Sequence, residues 1–218
     1  MADEPSDASN ADGGGGSGDA LAPAMVALDR QRPEDAERVA AEVLRADPKH
    51  ARALHILGVA LTMQGRYDEA VDVLGLGLQV APTMPELSIQ LGYAQLSRGD
   101  CANAKVAFAR ALGISPHPHD ALFGMAKAHQ ELGENEEAAG YFRRYLTNRP
   151  NDGGAWLGLG HCLLELGELD AGYECFRTAA RGDAKRYGAA LTSLAAAARG
   201  RFWLRPRDAA RFFRESQS

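Results

Sequence analysis

A glycine returns every 34 residues through most of this chain, at Gly65, Gly99, Gly133 and Gly167. Other columns keep the same step. Ala70 recurs as Ala104 and Ala138, then as Gly172. Leu74 is followed by Phe108, Phe142 and Phe176, and Ala60 by Ala94, Ala128 and Cys162. Pro82 is followed by Pro116 and Pro150, with Ala184 breaking the set. Upstream, Ala36 and Pro48 fall in the same columns. Several columns in phase at one fixed period mean a short supersecondary unit used repeatedly.

Each column has a physical reason. In "LHILGVALTMQGRYDEA" (54–70) apolar residues run at helical spacing up to Gly65, and a second helical run follows. A helix that ends in a left-handed residue favours glycine there. Asp68, Glu136 and Asp170 suit the first turn of the second helix, near its positive dipole end. Ala70, Ala104 and Ala138 are small where two helices cross closely, and Gly58 and Gly92 play the same part on the first helix. Pro82, Pro116 and Pro150 stop the second helix before the next unit. The spacing predicts helices over 22–31, 33–46, 51–64, 67–80, 85–98, 101–114, 119–132, 135–148, 153–166 and 169–181. Two more are predicted near 184–199 and 206–215. Pro33 fits the first turn of its helix. No strand pattern is present.

These columns resemble the tetratricopeptide repeat, whose period is 34. The likeness covers residues 51–183 closely and 20–50 more loosely. The unit "GAWLGLGHCLLELGELDAGYECFRTAA" carries the early Trp of that family as Trp156, and its Leu–small pair as Leu159 and Gly160. The resemblance implies an all-α fold, a right-handed superhelical solenoid of helical hairpins closed by a C-terminal capping helix. Its divisions would be a disordered acidic tail over 1–19, a partial repeat or N-terminal cap over 20–50, and full repeats over 51–84, 85–118, 119–152 and 153–186. Residues 187–218 would form the C-terminal cap. In such arrays the first helices of successive units line a concave groove that takes a peptide or helix. Carried over by position, the groove residues are Arg52, His55, Val59, Ile89, Tyr93, Phe123, Lys127, Leu157 and His161, about half of them expected to be exposed and the others packed on neighbouring helices. The dicarboxylate clamp of chaperone-binding members is not expected. Its positions read His55, Val59, Gln90, Asp120 and Gly124, and one unit later Ile89, Tyr93, Gly124, Gly154 and Gly158.

Composition narrows the function classes. Apolar residues make up 45% of the 218, enough to fold most of the chain around a core. The net charge of −5 equals the five acids Asp3, Glu4, Asp7, Asp12 and Asp19 of the opening segment, which has no Lys or Arg. The acid-rich, glycine-rich opening has little to bury, which is the reason to expect disorder there. It lacks the basic start and apolar stretch of a signal peptide. No run of about 18 apolar residues suggests a membrane span. A cytoplasmic address is therefore expected, and the Ala-, Arg- and Gly-rich composition suits a GC-rich bacterium. Cys101, Cys162 and Cys175 form no C-x-x-C and read as small buried hydrophobes.

No catalytic pattern stands out, and a non-catalytic protein with no cofactor and no metal is expected. There is no G-x-x-x-x-G-K-[ST] loop and no H-E-x-x-H, and "GLGHCL" lies inside a helix with no strand before it. The pair His117 and His119 lacks a third ligand at motif spacing. His129 falls in a core column. The end "GRFWLRPRDAARFF" reads either as a cap or as a docking patch, with Phe202, Trp203, Leu204, Phe212 and Phe213 among six arginines, Arg199 to Arg214. Nucleic acid binding is not expected from such short runs, interrupted by Asp208 and followed by Glu215. The first functional expectation is an adaptor or scaffold that binds a partner protein in its groove. The alternatives are a dedicated chaperone for a secreted or membrane-associated client, and an accessory subunit of an enzyme complex. Self-association through the apolar ends is compatible with each.

Overall fold

The computed structural model describes residues 20–114 and 119–180. Among these residues there are ten α-helices and no strand. They divide into two compact units, one ending at Pro82 and the other beginning at Thr83. The first unit holds α1 (Ala22–Asp29), α2 (Pro33–Ala46), α3 (Ala51–Met63) and α4 (Tyr67–Val80). The second holds α5 (Pro85–Arg98), α6 (Cys101–Ile114), α7 (His119–Glu131), α8 (Asn135–Asn148), α9 (Gly153–Glu165) and α10 (Leu169–Ala180). Inside each unit every helix packs on the next. Alternate helices also meet: α1 touches α3 in the first unit, and α5 touches α7 and α7 touches α9 in the second. This is the stacking of helical hairpins that the 34-residue period requires. The opening segment 1–19, Pro116, His117 and the predicted helices at 184–199 and 206–215 lie outside the described residues.

The turn inside each hairpin is closed in one way. Gly65, Gly99, Gly133 and Gly167 have φ of 77°, 88°, 76° and 84°. The residue after each glycine donates its N–H five residues back: Arg66 to Leu61 (2.9 Å), Asp100 to Gln95 (2.8 Å), Glu134 to His129 (2.9 Å) and Glu168 to Leu163 (2.9 Å). These bonds use carbonyls the ending helix would otherwise leave unpaired. α3, α7 and α9 each end one residue before the sequence expectation, and α5 ends at Arg98 as expected. The first hairpin uses Gln31 for the same task, at φ 57°, with Arg32 donating to Ala27 at 2.9 Å. Its turn therefore starts earlier, and α1 stops at Asp29 rather than at residue 31.

The turns between hairpins use proline instead. Asp47, Ala81 and Arg149 leave their helices with ψ of 93°, 76° and 59°, and Pro48, Pro82 and Pro150 follow them. The ring of the following proline keeps each of these residues out of the helical region. His50 caps α3, accepting at Nδ1 from the Ala53 N–H at 3.2 Å, and Asp152 caps α9, accepting from Ala155 at 3.0 Å.

Packing rests on large side chains set against missing ones. Phe108 on α6 is wholly buried. A Cβ added to Gly92 on α5 would lie 2.6 Å from its ring, and one added to Gly124 on α7 would lie 2.3 Å away. Phe142 on α8 meets Gly158 on α9 in the same way, at 2.3 Å, and Leu74 on α4 meets Gly58 on α3 at 2.4 Å. Ala70, Ala104 and Ala138 are all at 0% exposure, as the close crossing demands. In the fourth unit Gly172 replaces that alanine, because a Cβ there would stand 2.7 Å from Leu164. Charged pairs tie two of the turns to the preceding hairpin. Glu37 on α2 accepts from Gln64 (2.7 Å) and Arg66 (2.8 Å), and these bonds hold its carboxyl below the usual range. At the same offset of positions in the second unit the charges are swapped, with Lys105 on α6 donating to Glu134 at 2.6 Å.

Two substitutions separate these effects. Gly124→Ala should cost about 1–3 kcal/mol by overpacking against Phe108. Gly140→Ala, on α8 with nothing within 4 Å of the new methyl, should stabilise by about 0.5–1 kcal/mol through lower backbone entropy in the unfolded chain. Urea midpoints of the two variants against the parent check both signs. By the same measurement, Gln31→Gly should stabilise by about 1 kcal/mol, because it relieves a left-handed non-glycine residue.

Candidate functional site

The nine groove positions fall on both units. On α3, Arg52 is exposed and donates to the Met25 sulfur at 3.8 Å, while His55 and Val59 are half-buried. The other six lie on the three first helices of the second unit, where α5, α7 and α9 touch in sequence. The repeat sorts them into two rows, one residue per helix. Ile89, Phe123 and Leu157 make an apolar row. Tyr93, Lys127 and His161 make a polar one. All six are half-buried. Only Arg52 of the nine is exposed, fewer than the half expected.

The reason is that the rings in these rows rest on the core. Tyr93 stands edge-on to Phe108, with centroids 5.1 Å apart and planes at 75°. Phe123 meets Phe142 at 5.8 Å and 75°, and His161 meets Phe176 at 5.2 Å and 83°. Edge-to-face contacts of this kind add about 0.5–1.5 kcal/mol beyond burial. Each hairpin of the second unit thus seats one ring of its first helix on the buried phenylalanine of its second. The rows combine a fixed floor with a partly open upper surface.

Hydrogen bonds fix the polar row. The Tyr93 hydroxyl donates to the Asp120 carbonyl at 2.9 Å and so joins α5 to α7. Burial, with the Asp120 charge second, holds that phenol well above its usual pKa. Lys127 donates to Gln130 Oε1 at 2.9 Å, and Gln130 Nε2 donates to the Gly158 carbonyl at 3.4 Å. Gln130 is a member of the site that sequence reasoning passed over, although its place three residues after Lys127 on the same helical face was the available signal. Burial, and then the Lys127 charge, push the His161 pKa below its ordinary 6.5.

Other candidates resolve into structural roles. His129 is buried, lies 2.5 Å from Glu134 through Nδ1, and stacks on Tyr141 at 5.2 Å. It therefore shares Glu134 with Lys105, and the core column is also part of a polar cluster. Cys162 and Cys175 are buried as expected, and burial pushes their thiols up to about 12 and about 11. Cys101 is only half-buried, because it opens α6 at the surface. Among the described residues no group of three or more His, Cys, Asp or Glu is placed to hold a metal ion. No helix among them is long and apolar enough to cross a membrane. The first unit has an open cleft of about 620 Å³ lined by apolar Val26, Ala27 and Val39 and by Arg30, Arg32 and Arg38. Sequence reasoning did not anticipate it.

Comparison with known proteins places this architecture. A family model described as a tetratricopeptide repeat matches residues 21–79, 89–153 and 123–185. Cellulose synthase operon protein C of Komagataeibacter xylinus is 35% identical over 75 residues, which is 34% of this chain and 6% of that protein. The general transcriptional corepressor trfA of Dictyostelium discoideum is 32% identical over 88 residues, 40% of this chain and 6% of that protein. The chain therefore spans only a small fraction of these curated relatives. Among solved structures, PilW, described as a widely conserved type IV pilus biogenesis factor, aligns with a TM-score of 0.73 at 18% identity, covering 91% of this chain and 89% of its own. MamA from Desulfovibrio magneticus RS-1 aligns at 0.64 and 20% identity, covering 72% and 88%. At these identities the two structures establish a shared fold.

The lowered His161 pKa has a definite sign in stability. The folded state resists protonation more than the unfolded chain does, so the contribution is complete above about 6.5 and is lost as pH falls from there toward the lower folded value. Urea midpoints between pH 7.5 and 5 should fall more steeply for the parent than for His161→Gln. Equal slopes would show that the imidazole is not shielded.

Proposed function

Because this chain belongs to the tetratricopeptide repeat family, we propose that it is a non-catalytic scaffold that binds a peptide or helix of a partner protein along α5, α7 and α9. The observation that carries this reading is the pair of half-buried rows, Ile89–Phe123–Leu157 and Tyr93–Lys127–His161. All three apolar side chains are partly open, with Phe123 seated on Phe142 and Ile89 packed on the Phe108 cluster, which suits a guest's own apolar anchors. Beside them runs a polar row whose donors can fix direction and register. On α3 of the first unit His55 and Val59 stand at the equivalent repeat positions, with Arg52 three residues before His55.

A second reading is an accessory subunit of an enzyme complex that works on envelope glycans. It is favoured by the local likeness to cellulose synthase operon protein C. Co-purification of a glycan-polymerising activity that needs this chain would support it, and a partner equally active alone would remove it.

The test of the scaffold reading is recovery of partners from the native cell by affinity purification and mass spectrometry. The Ile89→Ala/Leu157→Ala double variant truncates the apolar row without touching the ring contacts. It should lower partner recovery by about tenfold or more. Val106→Ala, on a side chain of α6 that is 69% exposed, should leave recovery unchanged. Equal recovery from all three proteins, with unchanged circular dichroism, would take the groove out of the account.

A further inference from the structure

We propose that the guest of the second unit carries a carboxylate, from an aspartate or glutamate, that pairs with Lys127 while its neighbouring apolar side chains lie on Ile89, Phe123 and Leu157. This inference rests on the groove reading above and specifies the chemistry of its occupant.

Lys127 is at the centre of the polar row, on the middle of three touching helices. Its ammonium has three donors. One goes to Gln130 Oε1 at 2.9 Å. Among the described residues no carboxylate pairs with it, whereas the half-buried Lys105 of the same unit has Glu134. Lys127 is thus a half-buried cation with spare donors at a place where a guest would exclude water. Burying it without a counter-charge is unfavourable, and an acidic side chain on the guest removes that cost.

The flanking members of the row do not compete for the role. The Tyr93 hydroxyl is already committed to the Asp120 carbonyl. His161 is held toward its neutral form, first by burial and then by Lys127 itself. Gln130 holds the lysine from one side and the Gly158 carbonyl of α9 from the other, so the ammonium is positioned before a guest arrives. The carboxylate would therefore meet one defined charge, unlike the several ligands of a dicarboxylate clamp. The apolar row beside it sets the spacing of the guest's other anchors.

The experiment uses the full-length protein and a displayed library of random twelve-residue peptides. Peptides retained by the parent should be enriched in Asp or Glu next to apolar residues. For a selected peptide, replacing the acid by its amide should weaken binding to the parent by about tenfold. The same replacement should change binding to Lys127→Met by less than about twofold, because the partner of the acid is already gone. Retained peptides without an acid, or an equal loss on amidation with Lys127→Met, overturn the carboxylate. The Ile89→Ala/Leu157→Ala variant distinguishes the two levels of failure. If it weakens binding while Lys127→Met does not, the groove stands and the carboxylate falls. If neither variant weakens binding, or no peptide is retained, both fall.

Discussion

Phe108 occupies a slot that two glycines leave open, and much of the second unit is arranged around that fit. Its ring lies where the Cβ atoms of Gly92 and Gly124 would otherwise be. With those atoms absent, α6 can press against α5 on one side and α7 on the other. The approach of the backbones is set by the thickness of one aromatic ring. Phe142 against Gly158, and Leu74 against Gly58 in the first unit, repeat the arrangement with the local side chains changed. The alanines at positions 70, 104 and 138 serve the same close crossing. Interiors packed to this density tolerate neither an extra methyl nor a missing one well.

The consequence reaches the candidate site through a single layer. The slot fixes the phenylalanine, and the phenylalanine supports a ring of the first helix. Tyr93 stands on Phe108, Phe123 on Phe142 and His161 on Phe176. One member of the rows on each of α5, α7 and α9 is thus held by the same contacts that hold the helices together. Pre-organisation of this kind lowers the ordering cost of binding on the protein's side. The polar links Tyr93–Asp120 and Gln130–Gly158 act in the same direction, since each crosses from one first helix to the next.

Helix positions were legible in the sequence because they depend on one-residue constraints. A left-handed turn residue selects glycine, so Gly65, Gly99, Gly133 and Gly167 mark four turns without any knowledge of packing. Proline after a helix marks its stop for an equally local reason. Gln31 shows the limit of that logic: it adopts the same conformation without the expected residue type, and its turn was misplaced by two residues. The period also put Ile89, Phe123 and Leu157 in register, as it did Tyr93, Lys127 and His161. Their exposure was not legible, because it depends on which ring leans on which neighbour in three dimensions. The Gln130 bridge, the sharing of Glu134 by Lys105 and His129, and the arginine-lined cleft of the first unit have the same origin. Each joins side chains from different helices, or from opposite ends of a turn, at distances no spacing rule specifies.

The edge-on seating of one ring per hairpin has a consequence for how such a chain diversifies. Stability is vested in the lower ring, which is wholly enclosed in Phe108, Phe142 and Phe176. Identity is vested in the ring seated on it, which is Tyr93 in one hairpin, Phe123 in the next and His161 in the third. Inheritance can therefore rewrite the upper ring hairpin by hairpin while the lower one stays constant, and a duplicated unit can acquire a new taste without relearning how to stand.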